Sequence, residues 1–575
     1  DTKALEDIWI AEMVVQKKWE AFDDVDVRPG SLRCTYKLEP MDVNFGYLKF
    51  SSERVYLLKT LVRDNVRFSY LSLRSCLVDE LDEDAFVATP KFGELMRCIF
   101  NCEGRPCEHG NTSYQSDTIL REMSPLQIGS IDLNCVYSRM YAGNDNDFEA
   151  MCSAVVTNQA TKNLSIHIYL DGDVSGISGG VHMWKWLAYA FFSKRARQSS
   201  AIESLALAGV DSISVANMEA FVSTLSSNHP EEDLCGCPRG RVPERDATLK
   251  ERSPIYWCLT SSGEPDDDFD PLVFNAPIHS VRTFTDDGES NLVNAMVPGF
   301  GRCLVKRSDV VFERTEAALA ANQGGISSLF LVSREGEGFS SGGLQLLLGS
   351  VGMSLKKLTL KGPELEIDTN MVLRSCPNLE ELAHYRSRVE IRLNVCSYQA
   401  SSGPIPVVDG DWDDIGGLVR RLSDTSSPLA KCARRLRLCL WDQNDREDDD
   451  DQIASGDVDK IANMLEVNHT LEYLDVVVPA CSPAEFNKLR KFHRTPGSRA
   501  LKLPAACKAA FLSVFPGYIL NFTTKRGRTD AASCRLDEYV QTNIIAFAAA
   551  PGLRQVYVRS PRAYKEADDD TAVLI

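Results

Sequence analysis

Residues 354–360 read Ser-Leu-Lys-Lys-Leu-Thr-Leu, with Leu355, Leu358 and Leu360 in the order apolar, two variable, apolar, one variable, apolar. The last two anchors flank a single residue, which is the period of a strand with one buried face. The phrase recurs. Ile202, Leu205 and Leu207 follow it, as do Ile326, Leu329 and Leu331 and then Leu471, Leu474 and Val476. So do Leu553, Val556 and Val558, Phe68, Leu71 and Leu73, and Ile128, Ile131 and Leu133. Looser copies lie at Leu379 and Leu382 (with His384 as third anchor), at Ala433, Leu436 and Leu438, around Ile166 and Ile168, and around Val281.

Several copies follow a helix-like segment. Ile461 to Val467 precedes Leu471, Leu536 to Ala549 precedes Leu553, and Met371 to Arg374 leads into Ser-Cys-Pro-Asn-Leu-Glu-Glu-Leu. Short polar or Pro/Gly breaks separate helix from strand. Such a unit exposes an apolar helix stripe and an apolar strand face, and neither is buried until copies stack.

These phrases resemble leucine-rich repeats of the helix-bearing, ribonuclease-inhibitor-like kind, whose pattern is L-x-x-L-x-L-x-x-N/C-x-L. Pro377–Leu382, Ser354–Leu360, and Tyr70–Cys76 with Cys76 at the N/C position carry the likeness. The resemblance implies an α/β solenoid: a curved parallel sheet with helices on the convex side. The spacing of first anchors is uneven, so the solenoid is expected to be irregular, with loop insertions. The organisation expected is an N-terminal cap over 1–65, the solenoid over 66–560 with acidic insertions near 228–275 and 442–452, and a polar tail over 561–575. The amphipathic Leu5–Trp19 reads as a capping helix, and Leu503–Phe515 as another helix. Asn228–Pro254, Glu264–Asp270 and Asp442–Asp451 are too polar to bury much and read as solvated loops.

The chain has 575 residues, 44% hydrophobic and 25% charged, which suits a folded protein larger than one ordinary core. Its net charge of -18 argues against nucleic acid and anionic membrane as partners, since both reward clustered Lys and Arg. No apolar run is long enough to span a bilayer. The 18 cysteines include many within apolar runs, such as Cys76, Cys135, Cys152, Cys376, Cys439 and Cys507, and read as reduced thiols. That usage points to an intracellular, cytoplasmic setting. A start at Asp1 rather than Met suits a processed or truncated form and leaves room for a removed leader.

Catalytic patterns are weak. Gly176-Ile-Ser-Gly-Gly180 fits G-x-S-x-G, and it lies between strand-like Ser165–Leu170 and helix-like Val181–Phe192. A nucleophile elbow turns directly off its strand, whereas Asp171–Ser175 intervenes here, so a loop is expected. His182 stands too close to Ser178 for the hydrolase order. Cys98, Cys102, Cys107 and His109 match no common zinc spacing. Cys235 and Cys237 form a C-x-C pair, unlike the C-x-x-C of thioredoxin-like sites. Phosphate-loop and dinucleotide fingerprints are missing, so neither cofactor nor metal is expected.

Residues between anchors would line the open strand face: Tyr70, Ser72, Arg74, Asp132, Asn134, His167, Tyr169, Phe330, Thr359, Lys361, Tyr385, Arg435, Arg437, Tyr473, Asp475, Tyr557 and Arg559. Tyr and Arg are enriched at interface hot spots, and the mixed charge suits a protein partner. The reading is a non-enzymatic recognition or adaptor scaffold. The alternatives are a structural subunit of a larger assembly and a serine hydrolase using Ser178.

Overall fold

The computed structural model describes residues 41–44, 67–73, 88–100, 127–138, 144–171, 177–210, 213–258, 270–313, 325–333, 341–362, 368–385, 388–396, 415–440, 455–478, 483–500 and 551–559. The chain forms two compact units, residues 1–379 and 380–575.

In the first unit the period-two phrases become strands β1 (Met41–Asn44), β2 (Arg67–Leu73), β3 (Gln127–Ser138), β4 (Thr161–Asp171), β5 (Ser204–Val210), β13 (Ser328–Ser333) and β14 (Lys357–Lys361). They lie side by side in that order, each parallel to its neighbour. Leu71, Ile131, Leu164, Leu205, Leu329 and Leu358 stand in one register row, and all are buried. Side chains in this row meet their cross-strand neighbours, and each contributes roughly 1.5–3 kcal/mol by leaving water.

Helices α1 (Ala88–Ile99), α2 (Asn144–Val155), α3 (Ile177–Leu187), α4 (Lys194–Ser199), α5 (Val215–Ser226), α6 (Pro230–Leu234), α7 (Ser341–Val351) and α8 (Thr369–Ser375) join these strands or cover them. Side-chain caps start three of them. Ser193, Ser214 and Asp368 accept from the backbone N–H of Ala196, Asn217 and Asn370. After α2 the buried Asn158 turns the chain into β4: its Oδ1 accepts from Ala160 N and Thr161 N while its Nδ2 donates to Thr161 O. Helix α3 runs into a π-helical turn, Ala188–Phe192, whose residues are all buried. Trp184 and Phe192 pack edge-to-face on Phe221, at 5.9 and 5.5 Å between centroids.

Between β5 and β13 the chain builds a second sheet. Strands β6 (Arg245–Leu249), β7 (Pro254–Trp257), β8 (Leu272–Val273), β9 (Ile278–Phe284), β10 (Leu292–Val297), β11 (Gly301–Lys306) and β12 (Val310–Phe312) pair antiparallel in the order β12-β6-β9-β10-β11-β7-β8. Ala247, Ile255, Trp257, Val281, Phe300 and Val305 belong to its own core. The turn before β11 docks on the helices. Ser153 Oγ on α2 accepts from Gly299 N and Gly301 N at 3.0 and 3.1 Å. Gly299 has φ +86°, and a Cβ there would lie 2.4 Å from Gly93 O on α1 and 2.3 Å from Arg97 Cγ. Only glycine fits that approach.

The second unit holds β15 (Glu381–Tyr385), β16 (Val389–Asn394), β17 (Ala433–Cys439), β18 (Tyr473–Val477) and β21 (Gln555–Arg559), adjacent in that order. β16 runs antiparallel to both β15 and β17, whereas β17, β18 and β21 are parallel. Helices α9 (Ile415–Ser423), α10 (Pro428–Cys432), α11 (Ser455–Val467) and α12 (Pro483–Arg490) accompany them, with a small antiparallel pair, β19 (Pro496–Ala500) and β20 (Pro551–Leu553). Asn468 repeats the Asn158 turn between α11 and β18, accepting from Thr470 N and Leu471 N and donating to Leu422 O. The buried Arg554 guanidinium donates to Leu465 O at 2.7 Å, Leu471 O at 3.0 Å and Asn468 O. A cation is thereby set at the carbonyl-rich end of α11, where the helix dipole favours it.

The leucine-rich-repeat solenoid expected from the sequence does not hold. The protein is a mixed α/β structure: the second unit's strands change direction at β16, and residues 245–312 form a separate antiparallel sheet. The loose copy around Val281 is strand β9 of that sheet. The physical reason is that period-two anchors mark a strand with one buried face and say nothing of its neighbours or their direction. Asn228–Pro254, expected as a solvated loop, contains α6 and β6 and buries Glu231 and Glu232.

Other local readings fared variously. Ile461–Val467 lies within α11, Met371–Arg374 within α8 and Ser165–Leu170 within β4. β1 falls inside the segment expected as a cap and pairs with β2. Ser178, expected in a loop, lies in the first turn of α3. Leu5–Trp19, Leu503–Phe515, Leu536–Ala549, Asp442–Asp451 and the tail 561–575 lie outside the described residues, as do Cys102, Cys107 and His109. Among the described residues no helix is long and apolar enough to cross a membrane.

Candidate functional site

Alternation along β15 to β21 sends one set of side chains into the core and leaves the other on the opposite face. The buried set is Leu382, Ile391, Leu436, Leu474 and Val556. On the opposite face, register aligns Tyr385, Glu390, Arg437, Asp475 and Tyr557 in one row. Arg392, Arg435, Tyr473 and Gln555 form the next.

Asp475 anchors this face. Its side chain is 0% exposed, its Oδ2 lies 3.2 Å from Arg437 Nε and its Oδ1 3.2 Å from Arg559 Nε. Tyr473 donates its hydroxyl to the same carboxylate at 3.4 Å. Arg437 also reaches Glu390 Oε2 at 3.1 Å. Arg392 lies between Glu381 and Glu390, at 3.7 and 3.8 Å, and donates to the Tyr385 hydroxyl. Guanidinium groups lie over rings: Arg435 is 5.8 Å from the Tyr473 centroid and Arg559 5.6 Å from that of Tyr557. The two tyrosine rings are themselves 5.5 Å apart. Burial, then the Glu390 charge, pushes the Tyr385 phenol above its ordinary range, and burial with Asp475 does the same for Tyr473. Both hydroxyls therefore stay protonated at neutral pH and remain donors. Asp475 lies beneath its two arginines, while Glu390 and Glu381 are as exposed as Arg437 and Arg392, so this patch presents arginine, carboxylate and aromatic surface together.

The sequence-derived residues thus divide. Tyr385, Arg435, Arg437, Tyr473, Asp475, Tyr557 and Arg559 share this face. In the first unit Ser72, Asp132, Ser165, Ala206, Phe330 and Thr359 occupy one row, and Asn134, His167, Ala208, Val332 and Lys361 another. The first of these rows is mostly small, and the second mixes Ala208 and Val332 with Asn134, His167 and Lys361. Tyr70 lies on β2 and Tyr169 on β4, while Arg74 lies outside the described residues. The chain matches no family model and no curated protein sequence.

A second polar cluster escaped sequence reading. Helix α6 begins at Pro230, suited to a first helical turn, after His229. It places Glu231 and Glu232 against β6 and β9. The π-helical turn aims the Tyr189 hydroxyl at Glu231 Oε1, 3.0 Å away. Arg195 donates to that hydroxyl at 3.0 Å and lies 3.5 Å from Asp246. Arg282 approaches Glu231, Glu244 and Asp246 at 3.8, 3.5 and 3.4 Å. Glu232 Oε1 accepts from Gly240 N and Thr285 N, and its Oε2 from Arg239 Nη1. Burial, then the Glu231 charge, pushes the Glu244 carboxyl up to about 9. The only sequence sign was the run Glu231-Glu232 beside a proline and a histidine, which looks like solvated surface without its tertiary neighbours.

The C-x-C pair lies just beyond α6, with Gly236 at φ +63° between the two cysteines. Both cysteines are free thiols, and a hydrogen bond joins their side chains. That contact, aided by Arg302 against the effect of burial, lowers Cys237 to about 7, and Cys235 is raised in turn.

Proposed function

We propose that the chain is a non-enzymatic protein-recognition module, and that the open sheet face of the second unit binds an acidic, aromatic-containing segment of a partner protein. One observation carries this reading. A fully buried Asp475 holds Arg437 and Arg559 beside the neighbouring rings of Tyr473 and Tyr557. Side chains already fixed in this way lose little rotamer freedom on binding, so more of their contact energy is available for affinity. Arginine and tyrosine in an ordered patch are the residue types that dominate measured interfaces. The outer guanidiniums select negative charge in the partner, and they speed encounter at low salt.

The test is site-specific cross-linking. A photoreactive amino acid is placed at Tyr557 on the face, or at the exposed Val467 on α11 as a control. Irradiation in an extract of the source cell is expected to yield one dominant adduct from position 557 and none from 467. Arg435→Glu together with Arg437→Glu should abolish it. Equal labelling from both positions, or an adduct indifferent to the charge reversals, would remove the proposal.

A further inference from the structure

Among the described residues one group places three metal-ligating atoms close together: His229, Glu232 and Glu244, all within 4.8 Å of one another. His229 Nδ1 lies 3.6 Å from Glu232 Oε2 and 3.9 Å from Glu244 Oε1. Two further facts set this group apart from an ordinary acidic patch. The Glu244 side chain is only 4% exposed, and its Oε1, which faces His229, has no hydrogen-bond donor. His229 Nδ1 is likewise buried and makes no hydrogen bond. Two good ligand atoms are thus taken from water and aimed at each other, an arrangement that costs free energy unless a proton or a metal cation lies between them.

We propose that His229, Glu232 and Glu244 form a site for a divalent transition-metal ion of the zinc class. One imidazole nitrogen and two carboxylate oxygens are the donor set that such ions accept. Zinc bonds of about 2.0 Å at tetrahedral angles separate ligand atoms by about 3.3 Å. The two edges from His229, 3.6 and 3.9 Å, would close by about 0.3 and 0.6 Å, and the carboxylate–carboxylate edge, within 4.8 Å, would close with them. The His229 side chain is 42% exposed although its Nδ1 is buried, so an ion would enter past the imidazole. Arg239, whose side chain is half exposed, donates to Glu232 Oε2, the ligand atom itself, and would turn to solvent as an ion entered. The other oxygens are already oriented: the N–H groups of Gly240 and Thr285 hold Glu232 Oε1, and Arg282 lies beside Glu244 Oε2. Outer contacts of this kind fix ligand geometry in metal sites. Because α6 carries Glu232 and Glu244 immediately precedes β6, the ion would tie the helix to the second sheet.

The experiment uses the full chain stripped with a chelator, and zinc ion itself as the probe. Competition against a chromophoric chelator is expected to show one equivalent bound, with a rise in unfolding temperature. Glu244→Gln removes a carboxylate ligand at almost unchanged shape, so it should fold while zinc affinity falls by about 100-fold or more, beyond what loss of an outer contact costs. His229→Ala should fall similarly. Cys235→Ser with Cys237→Ser should leave binding unchanged. The proposal fails if the folded wild type binds no stoichiometric zinc. It fails equally if Glu244→Gln binds as tightly as wild type, or if the paired cysteine variant loses the ion.

Discussion

Replacing Asp475 with alanine tests the idea that one buried carboxylate organises the second unit's open face. Asp475 contacts Arg437 Nε and Arg559 Nε, each at 3.2 Å. The Arg437 contact is a hydrogen bond, worth about 1.5–3 kcal/mol to a charged group, whereas Arg559 is an ion-pair neighbour only; breaking a fully buried pair costs about 3–5 kcal/mol. Two features reduce that cost. Arg437 keeps Glu390 at 3.1 Å, and the two arginine side chains are 19% and 30% exposed, so both can turn to water. A net loss of about 2 kcal/mol is expected, and about 1 kcal/mol for Asp475→Asn, which keeps an acceptor oxygen. Urea unfolding measures the loss, and hydrogen exchange places it on β17, β18 and β21. A double-mutant cycle with Arg437→Met should give a coupling of about 1 kcal/mol. A loss under about 0.5 kcal/mol with no coupling would refute the reasoning, because the carboxylate would then be a bystander to its arginines.

Four further outcomes follow from the geometry. Arg554→Met leaves the carbonyls of Leu465, Asn468 and Leu471 without their shared cation and should destabilise the second unit by about 3–5 kcal/mol in denaturant titrations, with Arg554→Lys recovering part of it. Gly299→Ala combines a strained φ of +86° with a backbone clash and should cost about 3 kcal/mol, seen as earlier thermal unfolding. Alkylation of Cys237 should rise with a midpoint near pH 7, ahead of the buried Cys258 at about 11, and Arg302→Gln should move that midpoint upward. Burial tends to raise the Asp286 pKa, but Arg307, the Gly288 N–H and Arg245 outweigh it and hold the group below its ordinary value. Its stabilising effect is therefore complete above about pH 4 and lost as pH falls through the folded value, so Asp286→Asn should flatten the acid limb of an unfolding curve.

The residues of the second unit's open sheet face were legible because their signal is local. Arg437 and Asp475 lie between anchors of the same period, and alternation alone sends both to one face. That reasoning worked equally for β5, β13 and β14, where Leu205, Leu329 and Leu358 stand in one row. It failed where pairing depends on distant residues. Val389–Asn394 reads like any amphipathic strand, and only its neighbours set it antiparallel between β15 and β17. Arg554 occupies a variable position of its phrase, so nothing near it announced a buried guanidinium.

What the sequence determined by itself is which segments bury a face and which side chains lie opposite, since both follow from the backbone's own period. Tertiary structure alone decided strand order and direction, the second antiparallel sheet, and the gathering of His229, Glu232 and Glu244. Those features depend on contacts between residues far apart in the chain, such as Thr285 N with Glu232. The identity of a charged residue does not reveal whether the fold will remove it from water.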